Sequence, residues 1–147
     1  MFTNTFLFPD VNVWLALAHA RHPHYEVANE WIESLGNEIA LHFCRFTQLG
    51  LLRLLTAPAA MGDEAMTQAG AWKVYDLFFR DVRVRFIDEP RQVEACFRQK
   101  TNRREVSTKQ WADGYLAAFA EAGGLRLVTF DKALAKQAAE SALLGLT

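Results

Sequence analysis

Residues 6–18 read Phe6-Leu7-Phe8-Pro9-Asp10-Val11-Asn12-Val13-Trp14-Leu15-Ala16-Leu17-Ala18. The segment Phe2 to Phe8 is short and rich in aromatics. Pro9 closes it, because proline has no N–H to give a central ladder. That is the pattern of a buried strand. Val11 to Ala20 continues as a helix, with Asp10 at its start. A second junction of this kind lies near the other end. There Leu125 to Phe130 reads as a strand and Asp131 leads into a helix over Asp131 to Ala142.

Working outward, His22 to Leu35 carries apolar residues at helical spacing (Val27, Ala28, Trp31, Ile32, Leu35), and Gly36-Asn37 stops it. Glu38 to Phe43 is a strand. Thr47 to Leu55 is a helix that ends before Pro58. Glu64 to Phe79 is a longer helix, Val82 to Ile87 a third strand, and Arg91 to Lys100 another helix. Ser107 to Ala122 is the clearest helix: Ser107 with Gln110 three residues on forms a capping box, and Gly123-Gly124 ends it. Leu143 to Leu146 is expected as a short edge strand. Strands alternating with helices predict an α/β fold with a parallel sheet covered on both faces.

The 147 residues suggest one domain over 1–147, and neither a repeat nor a linker interrupts them. A net charge of −1 excludes a bulk polycation, so any nucleic-acid contact must come from a local patch. Cys44 and Cys96 lack metal-site spacing and read as small buried residues in a reducing compartment. The N-terminal run has no basic flank, which argues for a strand over a signal peptide. No apolar run approaches a membrane span. A soluble, cytoplasmic protein is expected.

Three aspartates carry the chemical reading. Asp10 and Asp131 follow strands, and an α/β fold binds its ligands outside the carboxyl ends of its strands. Both also precede helices, where aspartate is a favoured cap. Asp113 lies past the first turn of its helix, with Leu116, Ala117 and Ala120 on its own stripe. A carboxylate there is costly to bury without a partner, unless it sits at the solvated edge. Together the three are a candidate catalytic and metal-binding set for Mg²⁺ or Mn²⁺, since clustered hard oxygens repel each other unless a cation stands between them. Thr129 can hydrogen-bond a metal water, and Asn12 can orient Asp10 or touch a phosphate. Both can equally be ordinary strand and turn residues.

Arg98 to Lys109 holds five basic residues (Arg98, Lys100, Arg103, Arg104, Lys109) against Glu105 alone, and the segment Thr101 to Val106 is the expected mobile loop. It runs directly into the helix of Asp113. Arg103, Arg104 and Lys109 are therefore candidate RNA-binding residues, with Trp111 a candidate base-stacking residue or a core one. Arg45 and Arg53 are weaker candidates for the same cleft. His22-Pro23-His24 lacks partners for a zinc site and is read as flanking or capping the second helix. Trp31, Leu35, Trp72, Leu77 and Phe78 are core residues or face a dimer mate or partner helix.

These pieces resemble a known family. FLFPDVNVWLALA (6–18), HPHYEVANEWI (22–32), FTQLGLLRLLT (46–56), WADGYLAAFAEAGG (111–124) and LRLVTFDKAL (125–134) are similar, in order and over nearly the whole chain, to the PIN-domain nucleases. Within them the match is to the VapC toxins of toxin–antitoxin pairs. The resemblance implies a three-layer α/β/α sandwich around a parallel sheet and a Mg²⁺- or Mn²⁺-dependent endoribonuclease. It also implies a cognate antitoxin and a homodimer. By position Asp10 matches the family's first acid, Asp113 the third and Asp131 the fourth. The second, a glutamate on the helix after the second strand, has no counterpart: no carboxylate lies between Leu41 and Gly62, and Gln48 or Gly50 occupies its place. A neutral Gln48 can still hold a metal-bound water, but a second metal is held more weakly. The alternative expectation is a PIN module that binds RNA or antitoxin and cleaves poorly. A phosphatase of another α/β fold needs a second aspartate two residues after the first, where Asn12 stands.

Overall fold

The computed structural model describes residues 4–145. The chain runs β1 (Phe6–Pro9), α1 (Val11–Ala18), α2 (Tyr25–Ser34), β2 (Ala40–Phe43), α3 (Arg45–Leu55), α4 (Pro58–Met61), a 3₁₀ turn (Gly62–Glu64) and α5 (Gln68–Phe78). It continues through β3 (Val84–Phe86), α6 (Val93–Thr101), α7 (Lys109–Gly123), β4 (Arg126–Thr129), α8 (Lys132–Gln137) and β5 (Ser141–Leu143). Five strands form one sheet in the order β3-β2-β1-β4-β5, and every pairing is parallel. Helices cover both faces, so the expected α/β/α sandwich is the fold.

Alternation along the strands builds two cores. Leu7, Leu41, Phe43 and Val128 face one way, onto α1, α3 and α5 with Trp14, Leu51, Leu55 and Tyr75. Phe8 and Leu127 face the other way, onto α7 with Leu116, Phe119 and Ala120. Trp14 stacks on Phe43 at 3.9 Å, and Phe8 stacks on Phe119 at 4.9 Å. Because successive strand residues point to opposite faces, a continuous apolar run is what a doubly covered strand requires. Arg83 ties one sheet edge to α2. Its guanidinium donates to the Ile32 and Leu35 carbonyls, at 3.0 and 2.9 Å, and to Asp81.

Several boundaries differ from the sequence reading. Pro9 is the last residue of β1 and pairs with Val128, where its missing N–H interrupts no inner ladder. The proposed strand start at Phe2 and Thr3 lies outside the described residues. The expected helix Glu64–Phe79 begins only at Gln68, where the Thr67 side chain caps it by accepting from Gly70 N. The capping box at Ser107 and Gln110 does not form. Thr108 flanks α7 with φ −75° and ψ −32°, already helical, whereas a side-chain cap needs extended backbone. A capping box forms instead at α3, where Cys44 N donates to Thr47 Oγ1 at 3.0 Å.

The last helix stops at Gln137 rather than Ala142, and the edge strand is Ser141–Leu143 rather than Leu143–Leu146. The segment Ala138 to Ala142 has good helix propensity. It is overridden because residues 141–143 pair with Leu127 to Thr129 and extend the sheet.

Candidate active site

β1 and β4 are neighbours in the sheet, and the chain leaves them toward opposite sides: β2 pairs beyond β1, and β5 beyond β4. That strand order makes the carboxyl ends of β1 and β4 the switch point where a crevice opens. Asp10 follows β1 directly, and Asp131 stands two residues past β4. With Asn12, His22, Pro23, His24, Thr129 and Phe130 they line a cleft of about 340 Å³.

Asp10 is held rigidly. Its backbone N–H donates to the Val128 carbonyl at 2.8 Å. Its Oδ1 accepts from Val11 N at 2.7 Å, and its Oδ2 accepts from the Thr129 hydroxyl at 3.1 Å. Burial pushes its carboxyl above the usual range, and the neighbouring Asp113 and Asp131 charges add to the shift. Thr129 is fully buried. Its Oγ1 also accepts from Asp131 N at 3.0 Å, so one hydroxyl fixes both aspartates. Asp131 caps α8, accepting from Ala133 N and Leu134 N through Oδ1. The capping role and the cleft position are thus held together: Oδ1 caps, and Oδ2 is turned toward Lys109.

Asp113 stands on the second turn of α7 and is 6% exposed. Its Oδ2 is buried with no hydrogen-bond partner among the described residues. Burial raises its carboxyl above the usual range, opposed by the Lys109 ammonium. Lys109 Nζ lies 2.7 Å from Asp131 Oδ2 and 3.7 Å from Asp113 Oδ2. That ammonium holds the Asp131 carboxyl below its ordinary range. A protein cation therefore joins two of the three aspartates. As arranged, no three acidic, histidine or cysteine side chains among the described residues converge closely enough to hold a metal ion. The chemistry of the set still suits one: it offers hard carboxylate oxygens, two buried and one orphaned.

Gln48 is not free. It is buried on α3, and its Oε1 accepts from Arg45 Nη1 at 2.6 Å. Arg45 in turn lies over the Phe86 ring at 4.8 Å, which makes it an anchor of this helix rather than a cleft cation. Gly50 faces α1. A Cβ there would meet Val11 Cγ2 at 2.8 Å, so this position packs two helices together and has no room for a glutamate.

The basic segment divides. Lys100 is committed to structure, with Nζ donating to the Gln137 carbonyl at 3.0 Å and pairing with Glu121 at 3.4 Å. Arg98 pairs with Glu94, and Arg103 donates to the Lys100 carbonyl from an exposed position. Arg104 is exposed. Trp111 is 60% exposed and lies edge-on to Phe97 at the wall of a groove with Arg98, Thr101 and Asn102. It is a surface residue, as are Trp72 and Leu77, which were equally open to a core reading. His22 and His24 line the cleft, although sequence reading placed them only beside α2. No periodicity could reveal them, because the loop after α1 folds them over the β4 end.

A PIN-domain family profile matches residues 7–140. Ribonuclease VapC41 of Mycobacterium tuberculosis is 41% identical over 131 residues, which span 86% of this chain and 90% of that protein. Ribonuclease VapC44 of the same organism is 32% identical over 135 residues, 90% of this chain and 91% of that protein. Among solved structures, a chain of VapBC2 from Rickettsia felis, bound to a DNA fragment from its promoter, superposes with a TM-score of 0.70 at 11% identity. It covers 95% of this chain and 99% of that one. Mycobacterium tuberculosis VapC20, a sarcin-ricin-loop-cleaving toxin, has a TM-score of 0.64 at 16% identity, over 88% and 93% of the two chains. These distant structures share the fold, and the two curated relatives share the sequence over nearly its full length. The chain belongs to the PIN-domain family and, within it, to the VapC group.

Proposed function

We propose that this protein is an endoribonuclease that serves as the toxin of a toxin–antitoxin pair and cleaves RNA phosphodiester bonds at the Asp10–Asp113–Asp131 site with Mg²⁺ or Mn²⁺. One observation carries the reading: the buried Oδ2 of Asp113 accepts no hydrogen bond and faces, at 3.7 Å, a cation that it shares with Asp131. A buried carboxylate oxygen that accepts no hydrogen bond and has only an ammonium 3.7 Å away is a cost that a bound ion would offset.

Asp10, Asp113 and Asp131 would hold the ion, which supplies Lewis-acid polarisation of the phosphate and a nucleophile at neutral pH. The rest falls to the chain itself. The Thr129 hydroxyl and the Val11 N–H hold Asp10 in place, and Thr129 fixes Asp131 against it. Asn12 stands exposed at the cleft wall, where its amide can meet a phosphate oxygen. Lys109 stabilises the acids when no ion is bound. Once displaced, it is placed to bind a phosphate, with Arg103 and Arg104 extending the basic surface. Gln48 Oε1 accepts from Arg45 on the same helix, and Gln48 remains the candidate to hold a metal-bound water.

The antitoxin partner is supported by relatives solved as VapBC complexes. Exposed Leu49 and Trp72, with Gln68 and Arg53 around them, form an apolar surface suited to a partner helix or to the mate of a homodimer. No helix among the described residues is long and apolar enough to cross a membrane, and the proposed place of action is the cytoplasm. The whole span 1–147 is taken as one PIN domain.

A second reading has its own observation. Neither Gln48 nor Gly50 contributes a carboxylate, and Gln48 is already bound to Arg45. A PIN module with weakened metal affinity, binding RNA or antitoxin and cleaving poorly, fits that deficit. Cleavage of labelled RNA by antitoxin-free protein across Mg²⁺ and Mn²⁺ concentrations tests both. Discrete fragments that disappear with EDTA and with Asp113→Asn support the nuclease; metal-independent RNA binding without fragments supports the module.

A further inference from the structure

We propose that the stacked rings of His24 and Phe130 form the floor of a nucleobase subsite beside the acidic cleft, receiving a base next to the scissile phosphate of single-stranded RNA. The proposal rests on the nuclease reading and adds to it a residue that selects substrate.

The two rings lie 4.4 Å apart at an interplanar angle of 16°. Phe130 is half-buried and immediately precedes Asp131, which places its ring beside that acid's strand end. Gly145 packs near the same ring: a Cβ there would stand 3.5 Å from Phe130 Cδ1, and φ is +80°. Phe130 is thus a fixed support. His24 is exposed, and it lines the same cleft as Asp10, Asn12 and Asp131. Phe130 covers one face of its imidazole, and the other is the proposed seat of a planar ligand, with the His22 ring tilted beside it at 43°.

The polar groups around this platform suit a base edge. His22 Nδ1 accepts from His24 N at 3.0 Å, and the ring centroids are 5.7 Å apart. With Nδ1 accepting, the proton of a neutral imidazole sits on Nε2, which becomes a donor. Burial, with His24 and His19 nearby, holds His22 below the usual imidazole range and so keeps it neutral at pH 7. Asn12 offers an amide donor and acceptor at the same cleft. A volume of about 340 Å³ lies within the range of small-molecule sites. Stacking is tolerant of base identity, whereas the Nε2–H and the amide give a preference among bases.

A purely structural stack, pinning the loop before α2 to the end of β4, predicts a different experiment. The test is fluorescence anisotropy of a labelled single-stranded oligoribonucleotide with protein in EDTA, where cleavage cannot intervene. His24→Leu keeps apolar contact with Phe130 but removes the π face; His24→Phe keeps it. The subsite predicts a loss of affinity of about 5- to 150-fold for His24→Leu, and for His24→Phe an affinity close to wild type. Upfield shifts of the His24 ring protons when oligonucleotide is added to the wild-type protein give a second readout that requires no variant. Wild-type affinity in His24→Leu, or an affinity loss shared by both variants with an equal fall in melting temperature, overturns the subsite and leaves the nuclease standing. A loss of Mn²⁺ affinity in His24→Phe overturns it in favour of a metal ligand. Failure of the wild-type protein to bind RNA both in EDTA and with divalent metal present removes the nuclease reading itself.

Discussion

Lys109 Nζ sits 2.7 Å from Asp131 Oδ2, a charge-assisted bond across the mouth of the candidate site between the first turn of α7 and the cap of α8. The same ammonium reaches toward Asp113 one turn along α7. A divalent ion bound by these carboxylates must displace it. Lys109→Met should therefore tighten Mn²⁺ binding, measured by calorimetry without RNA, by a few-fold, since an exposed pair of this kind contributes roughly 0.2–1 kcal/mol. RNA affinity should fall, and the slope of its salt dependence should decrease by about one. Unchanged Mn²⁺ affinity would show that the lysine does not compete.

Asp113→Asn removes a buried charge that has no hydrogen-bond partner. The expected outcome is abolished RNA cleavage with a melting temperature equal to or above that of the wild-type protein. A gain of up to about 1 kcal/mol is consistent with removing a buried oxygen that accepts no hydrogen bond, less what the Lys109 pair contributes. Added Mn²⁺ should raise the wild-type melting temperature by mass action and leave that of the variant in place. A destabilised variant would instead assign Asp113 a structural role.

Gly50→Ala should destabilise the fold despite the better helix propensity of alanine. The new Cβ would stand 2.8 Å from Val11 Cγ2, and a β-branched side chain in a helix has little freedom to turn aside. Overpacking of this kind costs about 1–3 kcal/mol, against roughly 1 kcal/mol gained in propensity. Urea denaturation should show a net loss, and adding Val11→Ala should restore it.

Asp81 and Arg83 form a pH-dependent clasp. The Arg83 guanidinium holds the Asp81 carboxyl below its ordinary value of 3.8, so its stabilisation is complete above that pH and disappears as pH falls through the lower folded value. Asp81→Asn should lower the urea midpoint at pH 7 and make little difference at the acid end. Arg83→Ala should cost more, about 2 kcal/mol, because the Ile32 and Leu35 carbonyls at the end of α2 lose their donor as well. A wild-type midpoint in Asp81→Asn at neutral pH would count against the clasp.

Much of this was legible in the chain. Largely apolar runs such as Phe6 to Pro9 and Leu125 to Phe130, the latter broken only by Arg126 and Thr129, specify strands buried on both faces, and such strands require a parallel sheet with helices on each side. Aspartates after those runs, together with Asp113 inside an apolar helical stripe, specify acids at one end of the sheet. These are properties of local period and polarity, which depend only on neighbours in sequence.

What only the tertiary structure decided depends on residues distant in sequence meeting in space. Sheet pairing, not propensity, ended α8 at Gln137 and made a strand of residues 141–143. Packing against Val11 shows that Gly50 serves a helix contact, and Gln48 accepts from Arg45 on its own helix. The fate of each basic residue also had to be seen. Lys100 is spent on the Gln137 carbonyl and Glu121, while Lys109, nine residues on, lies among the acids. His24 reached the cleft because a loop folded it onto Phe130, 106 positions away in the sequence. Local pattern determines which face a side chain presents, and only the closed fold determines which group it meets there.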